Sequence, residues 1–275
     1  MKRRLLALAL LGSISLTSLP LYAKTQPAEG KTAISAKTQE DVQEKVQRTL
    51  WGAKISPYVR KALVTLEEKQ VPYHLMEILP TKLLLATKQD VPEAFSKVSP
   101  LGKIPAYEEA YSSELSKKDS SFALSDSGVI MEYLDQTVSK NPLRPVCPKA
   151  NARVTWFSKY ADDVVAPITH KVLIERVVKP GVLKETTDEA AVKKMLNEEL
   201  PVVFDFLEKT LAEDKRTWIA NSKNFSLADI AVVSHLVTLQ TANLNLEELI
   251  GKNRPHLLNY VKKVLDRNSF KKVMM

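Results

Sequence analysis

Thr49-Leu50-Trp51-Gly52-Ala53-Lys54-Ile55-Ser56-Pro57-Tyr58-Val59-Arg60-Lys61-Ala62-Leu63 is the stretch that decides the fold. Its first half is apolar and extended in character. In its second half Val59, Ala62, Leu63 and Leu66 recur at helical spacing. Pro57 fits the first helical turn, where a missing N–H costs nothing. Ser56 then falls at the N-cap, beside free backbone N–H groups and the positive end of the helix dipole. An anion placed there would be stabilised. On local sequence alone, a plain helix cap is the commoner use of such a serine.

Outward from this junction, residues 48–138 alternate strand and helix signals. Strands are predicted at Thr49–Lys54, Tyr73–Ile78, Ile104–Tyr107 and Phe122–Leu124, and helices at Pro57–Gln70, near Pro92–Lys97 and at Ser127–Val138. Asn141-Pro142-Leu143-Arg144-Pro145-Val146-Cys147-Pro148 reads as a linker. Beyond it the pattern is helical, at 150–178, 188–213, 227–242 and 256–267. Ser226-Leu227-Ala228-Asp229 is a capping-box variant flanked by Phe225 and Ile230 in staple positions, a folding device and not a chemical one. The expected architecture is an α/β domain at 47–138, a linker at 139–149 and an all-α domain at 150–275.

The N-terminus reads differently. Lys2-Arg3-Arg4 precedes a largely apolar Leu5–Leu19 and a small-residue end at Leu21-Tyr22-Ala23. Residues 1–23 read as a secretory signal peptide cleaved near Ala23, which implies export to the periplasm or beyond. Gly12, Ser13, Ser15, Thr17 and Ser18 interrupt the apolar run, so a spanning helix is the weaker reading, with an uncleaved membrane anchor as the alternative. Residues 24–46 are polar and read as a flexible lead-in. The formal charge of +8 falls to +5 when Lys2, Arg3 and Arg4 leave. The remaining lysines are interleaved with acids, which argues against a nucleic-acid stripe. Cys147 is the only cysteine, so no intramolecular disulfide staples the exported chain. His170 and His235 lack partners at metal-ligand spacing, and no metal is expected.

Three elements follow one another in order: the strand–Ser56-Pro57-Tyr58–helix junction, Gly102-Lys103-Ile104-Pro105, and Ser125-Asp126-Ser127. With the linker, the helical domain and the internal capping box, they resemble the cytosolic-type glutathione transferase superfamily over roughly residues 48–270. The opening stretch looks most like the serine-type tau and cysteine-type omega classes. Lys103-Ile104-Pro105-Ala106 is similar to the tau form of the next motif. Asp126-Ser127-Gly128-Val129-Ile130-Met131-Glu132-Tyr133-Leu134-Asp135 is similar to the family's Glu-Ser segment.

The resemblance implies a thioredoxin-like N-terminal domain, an all-helical C-terminal domain and a homodimer. It implies glutathione as co-substrate, with a small hydrophobic electrophile as the second partner. Ser56 would be the catalytic residue, donating a hydrogen bond to the glutathione thiolate. A free thiol titrates near ~8.5, and such surroundings lower that to about 7 or less. The family has a cis bond at Ile104-Pro105, and the backbone of Ile104 would pair with glutathione's cysteinyl residue as an added strand does. Lys103 would meet the glycyl carboxylate. Ser127 would hold the γ-glutamyl carboxylate, and Asp126 the γ-glutamyl amine. Asp126 is one methylene shorter than the family's glutamate, and the family's lysine ahead of Gly102 has no clean match, with Val91 or Asp90 in its place. Trp156, Phe157 and Tyr160 are candidates to line the electrophile pocket, although their spacing favours core packing. The same scaffold also serves non-catalytic ligand- or protein-binding proteins and glutathione-dependent peroxidases, since fold does not fix function.

Overall fold

The computed structural model describes residues 46–111 and 120–274. The expected signal peptide and nearly all of the expected lead-in lie outside the described residues, as does the core of the long polar stretch between Tyr107 and Phe122.

The N-terminal part is a four-stranded mixed sheet with helices against it. Its elements are β1 (Val46–Trp51), α1 (Pro57–Lys69), β2 (His74–Met76), α2 (Thr81–Ala86), α3 (Glu93–Val98), β3 (Ala106–Tyr111), β4 (Ser120–Leu124) and α4 (Ser127–Thr137). The strand order is β2-β1-β3-β4, with β1–β2 parallel and the other pairs antiparallel. This is the thioredoxin-like arrangement. β1 and β3 begin and end earlier or later than their apolar runs suggest, because the ladder carries on through Arg48, Glu108 and Glu109. Glu109 is tolerated there because Arg48 and the hydroxyls of Tyr107 and Tyr133 donate to its carboxylate. Helix α2 has no counterpart among the expected elements, since it is six residues long and only Leu84 of its three leucines is buried.

The helical part begins with α5 (Pro148–Tyr160) and runs on through α6 (Ala166–Leu173), α7 (Glu189–Lys194), α8 (Leu200–Ala212), α9 (Leu227–Leu236), α10 (Thr238–Thr241), α11 (Leu246–Ile250), α12 (Pro255–Leu265) and α13 (Asn268–Met274). Three π-helical segments interrupt it, at Ala161–Val165, Ile174–Leu183 and Met195–Glu199. Each contains the residue four positions before a proline: Asp163 before Pro167, Arg176 before Pro180 and Asn197 before Pro201. A proline ring collides with the carbonyl four residues back and supplies no N–H to it. Widening the turn by one residue relieves both problems without ending the helix.

Helix α9 is apolar on every side and lies at the centre of this part, with all ten of its residues buried. Its start is the predicted capping box. Asp229 accepts from the Ser226 N–H at 2.9 Å and the Ser226 hydroxyl at 2.8 Å. It also accepts from the Ile219 N–H and the Tyr260 hydroxyl, both at 2.9 Å, so this buried acid ties three segments together. One continuous apolar core joins the sheet to the helices, running from Leu50, Val59 and Leu63 through Phe157 and Ile230 to Phe270. Among the described residues no helix is long and apolar enough to cross a membrane.

Candidate active site

Strand register gathers the predicted motifs at one end of the sheet. Trp51, which ends β1, pairs with Ala106, which opens β3, and Tyr107 pairs with Leu124, which closes β4. The loops leading from or into those positions hold Ser56, Ile104 and Asp126. A side chain added at Gly52 would lie 2.5 Å from Val59 and 3.4 Å from the Cβ of Ile104, so the Ile104 loop packs directly on the junction before α1.

Ser56 is the N-cap of α1, with extended backbone (φ −74°, ψ 125°). Its carbonyl accepts from the Arg60 N–H at 3.0 Å, yet its hydroxyl makes no capping bond. The first-turn N–H groups of α1 and the half-buried hydroxyl therefore sit together with the helix dipole behind them. The Ile104-Pro105 bond is cis. Its loop is pinned from beneath: the Ser99 hydroxyl donates to the Lys103 carbonyl at 2.7 Å, and the Thr81 N–H donates to the Gly102 carbonyl at 2.9 Å. Gly102 has φ +62°, and any side chain there would meet Thr81 at 2.5 Å. Lys103 is exposed on this loop.

Asp126 is the N-cap of α4 and accepts from the Val129 N–H at 3.0 Å through Oδ1. A carboxylate has further acceptor positions, so capping and ligand binding are compatible. Ser127 is buried at the first position of the same helix, while Asp126 is exposed. Asp126 lies close enough to α1 that its charge, after burial and after Asp162, helps to raise the Tyr58 hydroxyl above its ordinary titration range.

The aromatic candidates separate. Phe157 packs in the core. Trp156 does not, being 50% exposed, against the core reading of its spacing. It stacks on Tyr160 with ring centroids 5.6 Å apart, and Phe206 of α8 lies 4.8 Å from Tyr160.

Beneath the site lies a polar network that the sequence did not announce. Arg60 and Lys61, four and five residues after Ser56, are both buried. Arg60 donates to the Ser234 carbonyl at 2.7 Å and to the hydroxyls of Thr238 and Thr241 at 3.2 and 3.1 Å. Lys61 meets both oxygens of Asp162, at 2.6 and 2.7 Å. The Nε2 of His235 lies 2.9 Å from Oδ1 of Asp162. The Tyr58 ring stands edge-on to His170 and His235, with centroids 5.8 and 5.1 Å away. Burial drives His235 down to about 4, although its bond to Asp162 opposes the shift. Burial pushes Asp162 upward, but the bonds and charges of His235 and Lys61 outweigh it and hold the carboxyl at about 2. The pair thus rests as a carboxylate and a neutral imidazole. A basic residue inside an amphipathic helix, as at 60 and 61, was the one available signal. Among the described residues there is no cluster of three or more His, Cys, Asp or Glu side chains placed to hold a metal.

A serine-headed helix terminus, a cis-proline loop and a second capped helix on a thioredoxin-like sheet, followed by an all-helical part, define a glutathione transferase fold. The family model for the glutathione S-transferase N-terminal domain matches residues 50–142, and that for the C-terminal domain matches residues 176–274. The chain belongs to the glutathione transferase superfamily. It is 26% identical over 230 residues to a glutathione S-transferase of Hyoscyamus muticus, covering 82% of this chain and 96% of that one. It is also 26% identical over 196 residues to FtsZ-localized protein A of Caulobacter vibrioides, covering 70% and 76%. A solved glutathione S-transferase-I with bound lactoylglutathione shares the fold with a TM-score of 0.66 at 22% identity, over 82% of this chain and 98% of that one.

Proposed function

We propose that this protein is a glutathione transferase that activates the glutathione thiol for attack on small electrophilic carbon centres. The observation that carries this reading is the Ser56 hydroxyl, which caps no N–H of its own helix yet stands at the N-terminus of a helix whose preceding junction, at Gly52, packs on Ile104. In this reading Ser56 donates to the thiolate and the α1 dipole adds a favourable field. The backbone of Ile104 pairs with the cysteinyl residue, Lys103 meets the glycyl carboxylate, and Asp126 with Ser127 holds the γ-glutamyl end. A serine at position 56 favours conjugation over mixed-disulfide chemistry, as in the serine-type classes.

Calorimetric titration of the mature protein with glutathione tests the reading. Binding is expected, followed by turnover in a screen of electrophiles that includes a peroxide. The absence of both heat and a thermal shift at millimolar glutathione would overturn it. A second reading, a non-catalytic protein-binding scaffold, is favoured by the likeness to FtsZ-localized protein A. Saturable glutathione binding with no turnover on any electrophile would select it.

The export reading of residues 1–23 belongs to the same proposal, with work in the periplasm or outside the cell. Mass spectrometry of protein from its native host should find an N-terminus near position 24, whereas Met1 in a cytosolic fraction would sink it. A homodimer also belongs here. Trp156, Tyr160 and Val164 recur every four residues along one exposed helical face, with Val202 and Phe206 of α8 beside them. The same two helical stretches carry exposed basic Lys149, Arg153 and Lys159 and exposed acidic Glu198 and Asp205, the last paired with Arg254. Such an exposed apolar strip can be buried against its own copy across a two-fold axis.

A further inference from the structure

We propose that Asp162 is a positioning residue for this site, acting through Lys61 to fix the turn of α1 that carries Ser56. The proposal rests on the glutathione reading above. Lys61 is one turn into α1, and its side chain is only 1% exposed. A buried ammonium demands a partner, and Asp162 supplies both of its oxygens. Asp162 is itself held by His235, whose side chain is fully buried. With Nε2 donating to Asp162, the other ring nitrogen, Nδ1, is left without a partner in the core. The imidazole therefore has one polar contact, and that contact aims the carboxylate at Lys61.

Asp162 can occupy this place because of Pro167. The π turn at Ala161–Val165 adds a residue to the helix. Ala161 is packed in the core while its neighbour Asp162 turns to the sheet domain and α9. π turns inside α-helices are often found at functional sites for this reason. The groups that face the cluster are Tyr58, Arg60 and Lys61 from α1, Asp126 from the start of α4, Lys159 and Asp163 from its own helix, His170 from α6 and His235 from α9. Lys61 also stands 5.9 Å from the Tyr58 ring centroid, so the aromatic ring, the two imidazoles and the ion pair form one packed unit under the first turn.

Positioning and plain electrostatics predict opposite signs. Asp162 is an anion near an anionic thiolate. Asp162→Asn would lower the bound thiol's pKa if the carboxylate acted only through its field. If it holds α1 in place, the same variant misaligns the Ser56 hydroxyl and the first-turn N–H groups, and the thiol pKa rises. The expected rise is about one unit, with about a tenfold fall in kcat near neutral pH that recovers in alkali and a KM for glutathione within a few fold. Asp162→Glu keeps the charge but moves it by one methylene, and should raise the thiol pKa in the same direction; a field effect predicts no change. Hydrogen exchange of the segment 52–66 should quicken in both variants while α9 stays protected.

The measurement is the ultraviolet thiolate absorbance of bound glutathione against pH in wild type and both variants, with hydrogen exchange alongside. A lowered or unchanged thiol pKa in both variants overturns the proposal, as does unchanged exchange at 52–66. If Asp162→Asn fails to fold, Asp162→Glu decides. If wild type binds no glutathione, the transferase reading fails separately, and exchange at 52–66 still decides whether Asp162 holds the turn.

Discussion

Ser56 carries a hydroxyl that its own helix does not use, and that separates it from an ordinary cap. Ser56→Ala should leave glutathione affinity within a few fold, because the proposed binding contacts are at Ile104, Asp126 and Ser127. The bound thiol's pKa should rise by about one to two units and the conjugation rate near pH 7 fall about ten- to a hundredfold. The loss should shrink in alkali. Rate against pH with one reactive electrophile measures it, and an unchanged profile reduces Ser56 to a cap. His235 supports a second prediction. Its folded value near 4 lies below the ordinary 6.5, so the unfolded chain binds the extra proton between those values. Its contribution is intact above about pH 6.5 and is lost as pH falls toward 4; Asp162, held near 2 against an ordinary 3.8, follows at still lower pH. Thermal midpoints of wild type should therefore decline from pH 6.5 downward, and His235→Gln should flatten that decline. Ser56, Ile104, Asp126 and Ser127 were legible in the sequence because each is part of a short motif at an element boundary. Asp162 was not, since its partner is 101 residues away and nothing local marks it.

Among the elements, caps and prolines carry most of the local instruction. The ends of α1 and α4 match their sequence signals to within a residue, because Pro57, Asp126 and the apolar spacing all agree there. The long helix from Pro148 continues past every interior proline, and Pro180 in particular reads as a breaker at sequence level. What accommodates it is the wider π turn at Ile174–Leu183, anchored upstream by the buried Glu175 and Val178, a tertiary effect outside any local window. The capping box at α9 gives the third prediction. Asp229→Ala strands the donors of Ile219, Ser226 and Tyr260 in the core. Unfolding in urea should show a loss of about 3 kcal/mol or more, with glutathione affinity unchanged in the folded fraction. A loss under about 0.5 kcal/mol, the range of ordinary surface changes, would contradict the role given to it.

At the scale of the molecule, the exposed aromatic strip predicts a dimer that two substitutions should break. Trp156→Glu with Phe206→Glu should shift the sedimentation coefficient from dimer to monomer while the far-ultraviolet spectrum stays helical. A wild type that sediments as a monomer at micromolar concentration would refute the self-association reading. The three buried cations of α1 have a different consequence. Lys69 finds Asp135 and the Asn141 carbonyl near its own sheet, but the side chains of Arg60 and Lys61 make all their hydrogen bonds to the helical part. The two halves recognised by separate family models are therefore not interchangeable modules. A fragment ending at the linker would carry two naked cations on an apolar helix face, and should be recovered folded only when the complementary fragment is co-expressed to receive them. Any recombination that swaps one half for that of a relative must bring Asp162, Ser234 and Thr238 along with the lysine and arginine they neutralise or cradle, so inheritance across this joint is constrained to matched pairs.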